Sequence, residues 1–351
     1  MDVLTVRNVH LALPAAIQGL EQMGQERESR NGPVRLFPGP VTTVYRRPCE
    51  RVIFWPERDA NPFFHLFEAL WMLDGRQDVE YLSRFNSNIA RYSDDGEVFH
   101  GAYGFRWRHL RGIDQLEMVI ERLREDPTDR RQVVQMFDAE FDLLEQEGRK
   151  DIPCNLTICF QRDFWGRLEM TVFNRSNDLI WGCYGANAVH FSVLQEYVAT
   201  MIGCDVGFYR QVSCNLHAYL ETLEPLKHMV DLVNQPTPYN VTETGGTPEV
   251  KAYPLITKTH RWNLELKMFL AEGNNALGYE DPFFRKIALP MLAAWDAFKA
   301  DDSLVRFVEA RTALTRMPPD CDWYKACDEW LTRRQERATR KAKAEEENQD
   351  E

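Results

Sequence analysis

Two alternating runs lie close together in the middle of the chain. In Leu156-Thr157-Ile158-Cys159-Phe160 the apolar Leu156, Ile158 and Phe160 alternate with Thr157 and Cys159, and a second alternation runs from Leu168 to Phe173. Period-two patterning predicts strands with one buried face. Pro153-Cys154 stands directly before the first run. Proline donates no ladder hydrogen bond, so Pro153 belongs at a strand start or edge. Cys154 is thereby delivered where a strand begins, at a place able to face a pocket. The second run ends in Phe173-Asn174-Arg175-Ser176-Asn177-Asp178, which adds a guanidinium and a carboxylate on the adjacent strand. A thiolate is a strong nucleophile, and cationic neighbours lower its pKa. Cys154 alone would read as a buried structural thiol. With the arginine and carboxylate beside it, the pattern points to covalent catalysis on an anionic substrate.

The flanking sequence mixes helical and strand periods. An opening helix is expected over 4–28, from Leu11, Ala15, Ile17, Leu20 and Met23, and Ser29-Arg30-Asn31-Gly32-Pro33 breaks it. Residues 34–54 read as two strands with a turn near Arg47-Pro48. Asn61-Pro62 opens a helix whose apolar face is Phe64, Phe67, Leu70, Trp71 and Leu73. Glu68 sits inside that run, either turned outward or buried with a raised pKa. A further helix is expected over 79–89, an aromatic and basic turn over 102–108, and an amphipathic helix over 113–125. Asp129-Arg130-Arg131 leads into a strand over 132–137. Two adjacent arginines there point to opposite faces, so one site would rarely use both.

Gly182 through Asn187 forms a glycine loop before a long apolar helix over 189–201, with Asn187 near its N-cap. A strand over 209–219 places His217 and Tyr219 on one face. Residues 221–234 read as helix, 235–254 as loop, 253–257 and 262–269 as strands, and 282–345 as helix. The last stretch is charge-segregated and expected to be solvated and frayed.

Composition narrows the function classes. Of 351 residues, 44% are hydrophobic, ample for a large core. The formal charge of −12 argues against broad nucleic-acid binding but leaves room for local arginine pockets. No apolar run reaches the roughly 18 residues of a membrane span, and residues 1–20 lack a signal-peptide pattern. Eight cysteines show no Cys-x-x-Cys spacing, so neither a metal site nor a disulfide framework is signalled, and a reducing cytoplasm fits.

Taken in order, several short blocks carry a resemblance. They are Glu68 through Gly75, Tyr103 through Arg108, Asp129-Arg130-Arg131, Pro153-Cys154, Asn174 through Asp178, Gly182 through Asn187, and His217-Ala218-Tyr219. Over roughly residues 15–265 the chain resembles the thymidylate synthase family, which includes the pyrimidine-nucleotide hydroxymethylases. The resemblance implies an α/β fold in which a large mixed β-sheet is flanked by helices and packs back-to-back against its twin. It divides the chain into a catalytic domain over 1–269, a helical extension over 270–345 and an acidic tail over 346–351.

The resemblance also implies roles. Cys154 adds to C6 of a pyrimidine nucleoside monophosphate. Arg175 and Ser176 hold the 5′-phosphate, with Arg30 a further ligand. Arg130 and Arg131 reach the site of the partner in a homodimer. Asn187 reads the base, while His217 and Tyr219 bind the sugar hydroxyl. Asp178 and Trp71 contact the folate, methylenetetrahydrofolate. Glu68 orders water and moves protons, and Tyr103 lies near the ring carbon that loses its proton.

Four departures bear on the reaction. The segment Ile89-Ala90-Arg91-Tyr92-Ser93 lacks the family's tryptophans, and the chain ends in acidic residues rather than a short apolar tail. Asn155 replaces a histidine after the nucleophile, and Ala186 replaces a large apolar residue. All four are expected to open or polarise the pocket. They favour adding water to the exocyclic methylene over hydride transfer, hence hydroxymethylation over thymidylate synthesis. An inactive nucleotide- or RNA-binding relative is the reading of another class. Asn187 favours uracil, although cytidylate and ribose remain open.

Overall fold

The computed structural model describes residues 2–144, 148–240, 248–275, 277–301 and 303–347. They form two compact units, 2–58 with 64–237, and 59–63 with 238–347. Ten strands are found among the described residues, all in the first unit. They are β1 (Asp2–Val6), β2 (Gln25–Arg27), β3 (Val34–Leu36), β4 (Val41–Tyr45), β5 (Val133–Gln135), β6 (Asn155–Arg162), β7 (Leu168–Asn174), β8 (Asn177–Asp178), β9 (Val206–Ser213) and β10 (Leu216–Tyr219). A six-stranded mixed sheet has the order β1-β4-β9-β7-β6-β5, and a smaller sheet has the order β2-β3-β10-β8.

The two central alternations become β6 and β7, paired antiparallel, and β7 runs parallel to β9. Ile158 and Phe160 are buried as expected, but Leu156 is only half-buried. The ladder shifts register between Asn155 and Thr157, and the Leu156 carbonyl accepts from the amides of both Met136 and Phe137. Such a bulge interrupts the alternation and re-aims the chain at its start, beside Cys154.

Several local expectations are corrected. The first residues are a strand, because residues 2–6 pair in parallel with β4. The helix begins at Val9, where Asn8 Oδ1 accepts from Leu11 N at 3.2 Å, and ends at Met23. No strand forms over 52–54; the Phe54 amide donates instead to His10 Nδ1 at 3.2 Å. The aromatic and basic segment is a helix, Tyr103–His109. It crosses the Glu68 helix (Pro62–Leu73) closely enough that a Cβ on Gly104 would stand 2.1 Å from the Met72 carbonyl oxygen. Leu179–Ala186 is a π-helical turn that leads into the helix Asn187–Met201.

In the second unit, the strand expected over 262–269 is part of a helix, Thr259–Glu272. Trp262, Leu266, Phe269 and Leu270 are buried at helical spacing. Residues 253–257 form no strand either. The charged segment expected to fray continues a long helix, Asp322–Glu347. Its Arg333, Arg334 and Arg337 all donate to the Asp59 carboxylate, at 3.1, 2.7 and 2.9 Å. Residues 348–351 of the acidic tail lie outside the described residues.

Burial pushes the Asp59 carboxyl up, but Arg334, Arg333 and Arg337 override it and hold it below its ordinary value. A depressed carboxylate pKa stabilises the fold above the unfolded value of about 3.9, and that contribution is lost as pH falls through the folded value. Asp59→Asn is therefore expected to destabilise the protein at neutral pH and to flatten the acid limb of its stability curve. Thermal unfolding from pH 7 to pH 3 measures this, and a variant curve parallel to the native one would contradict it.

Candidate active site

The first unit holds a cavity of about 220 Å³. Glu68, Trp71, Tyr103 and Asn187 line it together, although they come from three different helices. Ile89, Tyr92 and Ala186 also face it. Of the four departures noted in sequence, the tryptophan-free segment and Ala186 therefore border the cavity. Asn155 does not. It is fully buried, and its Nδ2 donates to the Phe173 carbonyl at 3.0 Å and to Asn174 Oδ1 at 3.3 Å. The expectation that it polarises the pocket is corrected: its side chain does not line the cavity, and its Nδ2 is spent on the β6–β7 pair.

Cys154 sits just before β6 and is half-buried. Burial pushes its thiol up, the Arg175 charge pulls it down, and Asp151 pushes it up again. The Arg175 guanidinium donates to the carbonyls of Pro153 at 3.0 Å and Ile152 at 2.9 Å, and its amide donates to the Cys154 carbonyl at 2.9 Å. This arginine thus fixes the backbone on both sides of the thiol. Ser176 follows it in the turn between β7 and β8. Tyr103 joins the group electrostatically. Burial and Cys154 raise its phenol, while the backbone amides of Asn155 and Cys154 and the Arg175 charge oppose them. Its ring stacks on Phe191 with centroids 5.8 Å apart.

Sequence reading missed His190. It lies three residues after Asn187 on the same helix, is 2% exposed, and borders the cavity. Its Nε2 lies 2.9 Å from Glu68 Oε2. Within a run of apolar helix positions no periodicity marks such a residue. Glu68 is thereby turned inward onto an imidazole rather than outward to solvent.

Asp178, His217 and Tyr219 occupy the smaller sheet, where β8 and β10 pair in parallel with Asp178 opposite His217. Asp178 caps the π-helical turn, its Oδ1 accepting from Trp181 N at 2.5 Å. Burial raises its carboxyl, against the Trp181 amide and the charges of His217 and Arg58. Its Oδ2 is buried with no hydrogen-bond partner among the described residues. The His217 and Tyr219 rings meet edge to face at 5.5 Å. Asn31 Nδ2 donates to the Tyr219 hydroxyl at 3.5 Å, which sets the exposed Arg30 loop beside them.

Arg130 and Arg131 are placed apart from this group, before the edge strand β5. Both are exposed, and Arg131 is clasped by Asp129 at 3.0 and 3.1 Å.

Comparison with known proteins identifies the chain's relatives. Residues 61–252 match the family model described as thymidylate synthase. A protein of Pseudomonas phage M6 named deoxyuridylate hydroxymethyltransferase is 53% identical over 336 residues, spanning 95% of this chain and 95% of its own. One of the same name from Bacillus phage SP01 is 40% identical over 192 residues, 52% of this chain and 50% of its own. The thymidylate synthase of Saccharomyces cerevisiae is 26% identical over 204 residues, 52% of this chain and 63% of its own. By the span of the family model and the near full-length likeness, the chain belongs to the thymidylate synthase family.

Proposed function

We propose that the chain is a methylenetetrahydrofolate-dependent enzyme that hydroxymethylates C5 of dUMP, acting as a cytoplasmic homodimer. The observation that carries this reading is the 53% identity, over 95% of both chains, to a protein named deoxyuridylate hydroxymethyltransferase. The site supplies what the reaction needs. Ring carbon C5 of uracil is a poor nucleophile. Addition of the Cys154 thiolate at C6 turns it into an enolate and splits one difficult step into two easier ones. Arg175, Ser176 and Arg30 hold the 5′-phosphate, a group that guanidinium forks bind well. Asn187 contacts the base, and His217 with Tyr219 the sugar hydroxyl.

Methylenetetrahydrofolate would supply the carbon at the oxidation level of formaldehyde, and its nitrogens would take up the C5 proton and the thiol proton as tetrahydrofolate is released. The aromatic wall of Trp71, Tyr92 and Phe99 suits a flat ring, and the unpartnered Asp178 Oδ2 suits an N–H donor. Tyr103 lies beside the C5 proton. Glu68, against His190, orders the water that adds to the exocyclic methylene. The C–O bond forms, Glu68 takes the water's proton, and the resulting enolate expels the Cys154 thiolate, which recovers that proton. No hydride moves and nothing is oxidised.

The test is mass spectrometry of the product from dUMP in heavy-oxygen water. A hydroxymethyl product carrying the label is expected. An unlabelled methyl product with dihydrofolate would make the chain a synthase, and no product would favour an inactive nucleotide-binding relative.

The remote position of Arg130 and Arg131 supports a role in the partner's site. Mixing Arg130→Ala with Cys154→Ala subunits is then expected to regenerate one intact site per heterodimer, about a quarter of all sites in an even mixture. Activity in the mixture no greater than the sum of the two variants would remove the dimer from the reading.

A further inference from the structure

The amides beneath Asn187 form a buried chain with a single allowed polarity. Gln211 on β9 is fully buried, and its Nε2 donates to the Cys183 carbonyl at 3.1 Å. A backbone carbonyl only accepts, so this end of the Gln211 side chain is its NH2 group. Its Oε1 therefore faces Asn177 on β8 and accepts from Asn177 Nδ2 at 3.1 Å. The same Nδ2 donates to Ser213 Oγ at 3.1 Å. That leaves Asn177 Oδ1 toward Asn187, where it accepts from Asn187 Nδ2 at 3.0 Å. Turning any one of these amides over would set donor against donor or acceptor against acceptor in a buried contact. The orientation of the Asn187 amide at the cavity is thus dictated from the Cys183 backbone, through two side chains.

We infer that the Gln211–Asn177 relay determines base specificity, by fixing which end of the Asn187 amide accepts and which donates. The inference rests on the hydroxymethyltransferase reading, with Asn187 as the base contact. Uracil presents an acceptor, O4, beside a donor, N3–H. Cytosine presents the reverse, an amino donor beside the N3 acceptor. A free asparagine serves either edge by rotating its amide half a turn. One held through Nδ2 by Asn177 serves a single edge, and the likeness to a deoxyuridylate enzyme identifies that edge as uracil's. From the sequence the choice between uracil and cytosine stays open, because nothing along the chain links Asn187 to Gln211.

Calorimetric binding of dUMP and dCMP to the intact enzyme without folate tests this. The wild-type protein is expected to prefer dUMP by about 100-fold or more, because a site built for one hydrogen-bond pattern strands buried polar groups against the other. Equal affinities would overturn the relay outright and need no variant. Gln211→Met keeps the volume but removes both ends of the anchor, and Asn177→Leu cuts the link to Asn187. Each is expected to lower the dCMP-to-dUMP ratio of dissociation constants by about tenfold, through improved dCMP binding. A parallel weakening of both nucleotides, with the ratio unchanged, would reduce the relay to packing. Failure of the underlying reading shows separately, as a wild-type enzyme that makes no labelled hydroxymethyl product from either nucleotide.

Discussion

Replacing Cys154 by alanine is expected to abolish turnover while nucleotide binding survives. In the proposed mechanism the thiol is the group that adds to a pyrimidine carbon and leaves again, so its loss removes a bond-forming step. In enzymes where a nucleophile acts within a unit, deleting it costs about 10⁴–10⁶-fold in rate. The measurement is product formation alongside equilibrium binding of dUMP, with intact-mass detection of the covalent adduct in the native enzyme. Undiminished turnover would end the covalent route.

The neighbours of the thiol give this expectation a finer form. Arg175 lowers the Cys154 pKa and Asp151 raises it. The thiolate fraction, followed as alkylation rate against pH, should therefore appear at lower pH in Asp151→Asn and at higher pH in Arg175→Ala. The arginine variant carries a second effect, because the same guanidinium ties down the carbonyls of Ile152 and Pro153. Shifts in the opposite directions would contradict the charge assignments.

The largest expected loss of stability belongs to Asp142→Ala. Asp142 is fully buried and takes Arg106 bidentately, at 2.6 and 2.9 Å. Arg106, also buried, continues to the carbonyls of Met136 and His100, at 2.8 and 3.0 Å. Removing the carboxylate strands a guanidinium out of water, which costs about 3–5 kcal/mol. Replacing both partners by apolar residues of similar size, Arg106→Met with Asp142→Leu, is expected to recover much of that loss. Urea denaturation of the single and double variants decides the matter. Equal destabilisation in both would show that the pair matters for shape rather than charge. Because Arg106 lies on the Tyr103 helix, activity should fall with stability in the single variant.

How far the chain could be read in advance follows from the range of each signal. The β6–β7 pair was plain because its alternation extends over many residues, and Cys154 was placed at the strand start by the proline before it. The bulge at Leu156 was not, since it depends on amides arriving from Met136 and Phe137. Residues 262–269 misled for a specific reason. Trp262, Leu264 and Leu266 alternate like a strand, yet Leu264 is exposed while Glu265 is fully buried. The Glu265 carboxylate accepts the amides of Glu280 and Asp281, each at 3.0 Å, and a carboxylate satisfied in this way defeats any hydropathy pattern. The same limit hid His190 and Gln211. Their partners lie in distant segments, and nothing local distinguishes them from ordinary helix and strand positions. Short blocks shared with a family carried the candidate residues; the contacts that orient them had to be seen in three dimensions.

The close crossing at Gly104 sets the mechanical tolerance of the site. Glu68 and Tyr103 ride on the two helices that meet there, and the gap between their backbones is fixed by a missing methyl group. A Cβ at this position would stand 2.4 Å from the Met72 Cα. Backbone cannot swing aside as a flexible side chain can, so even alanine would act as a wedge. It would push apart two of the helices that line the cavity, although Met72, the residue it meets, is given no binding or catalytic role. The spacing that chemistry requires is thus calibrated from outside the reacting groups, at a residue with no side chain of its own.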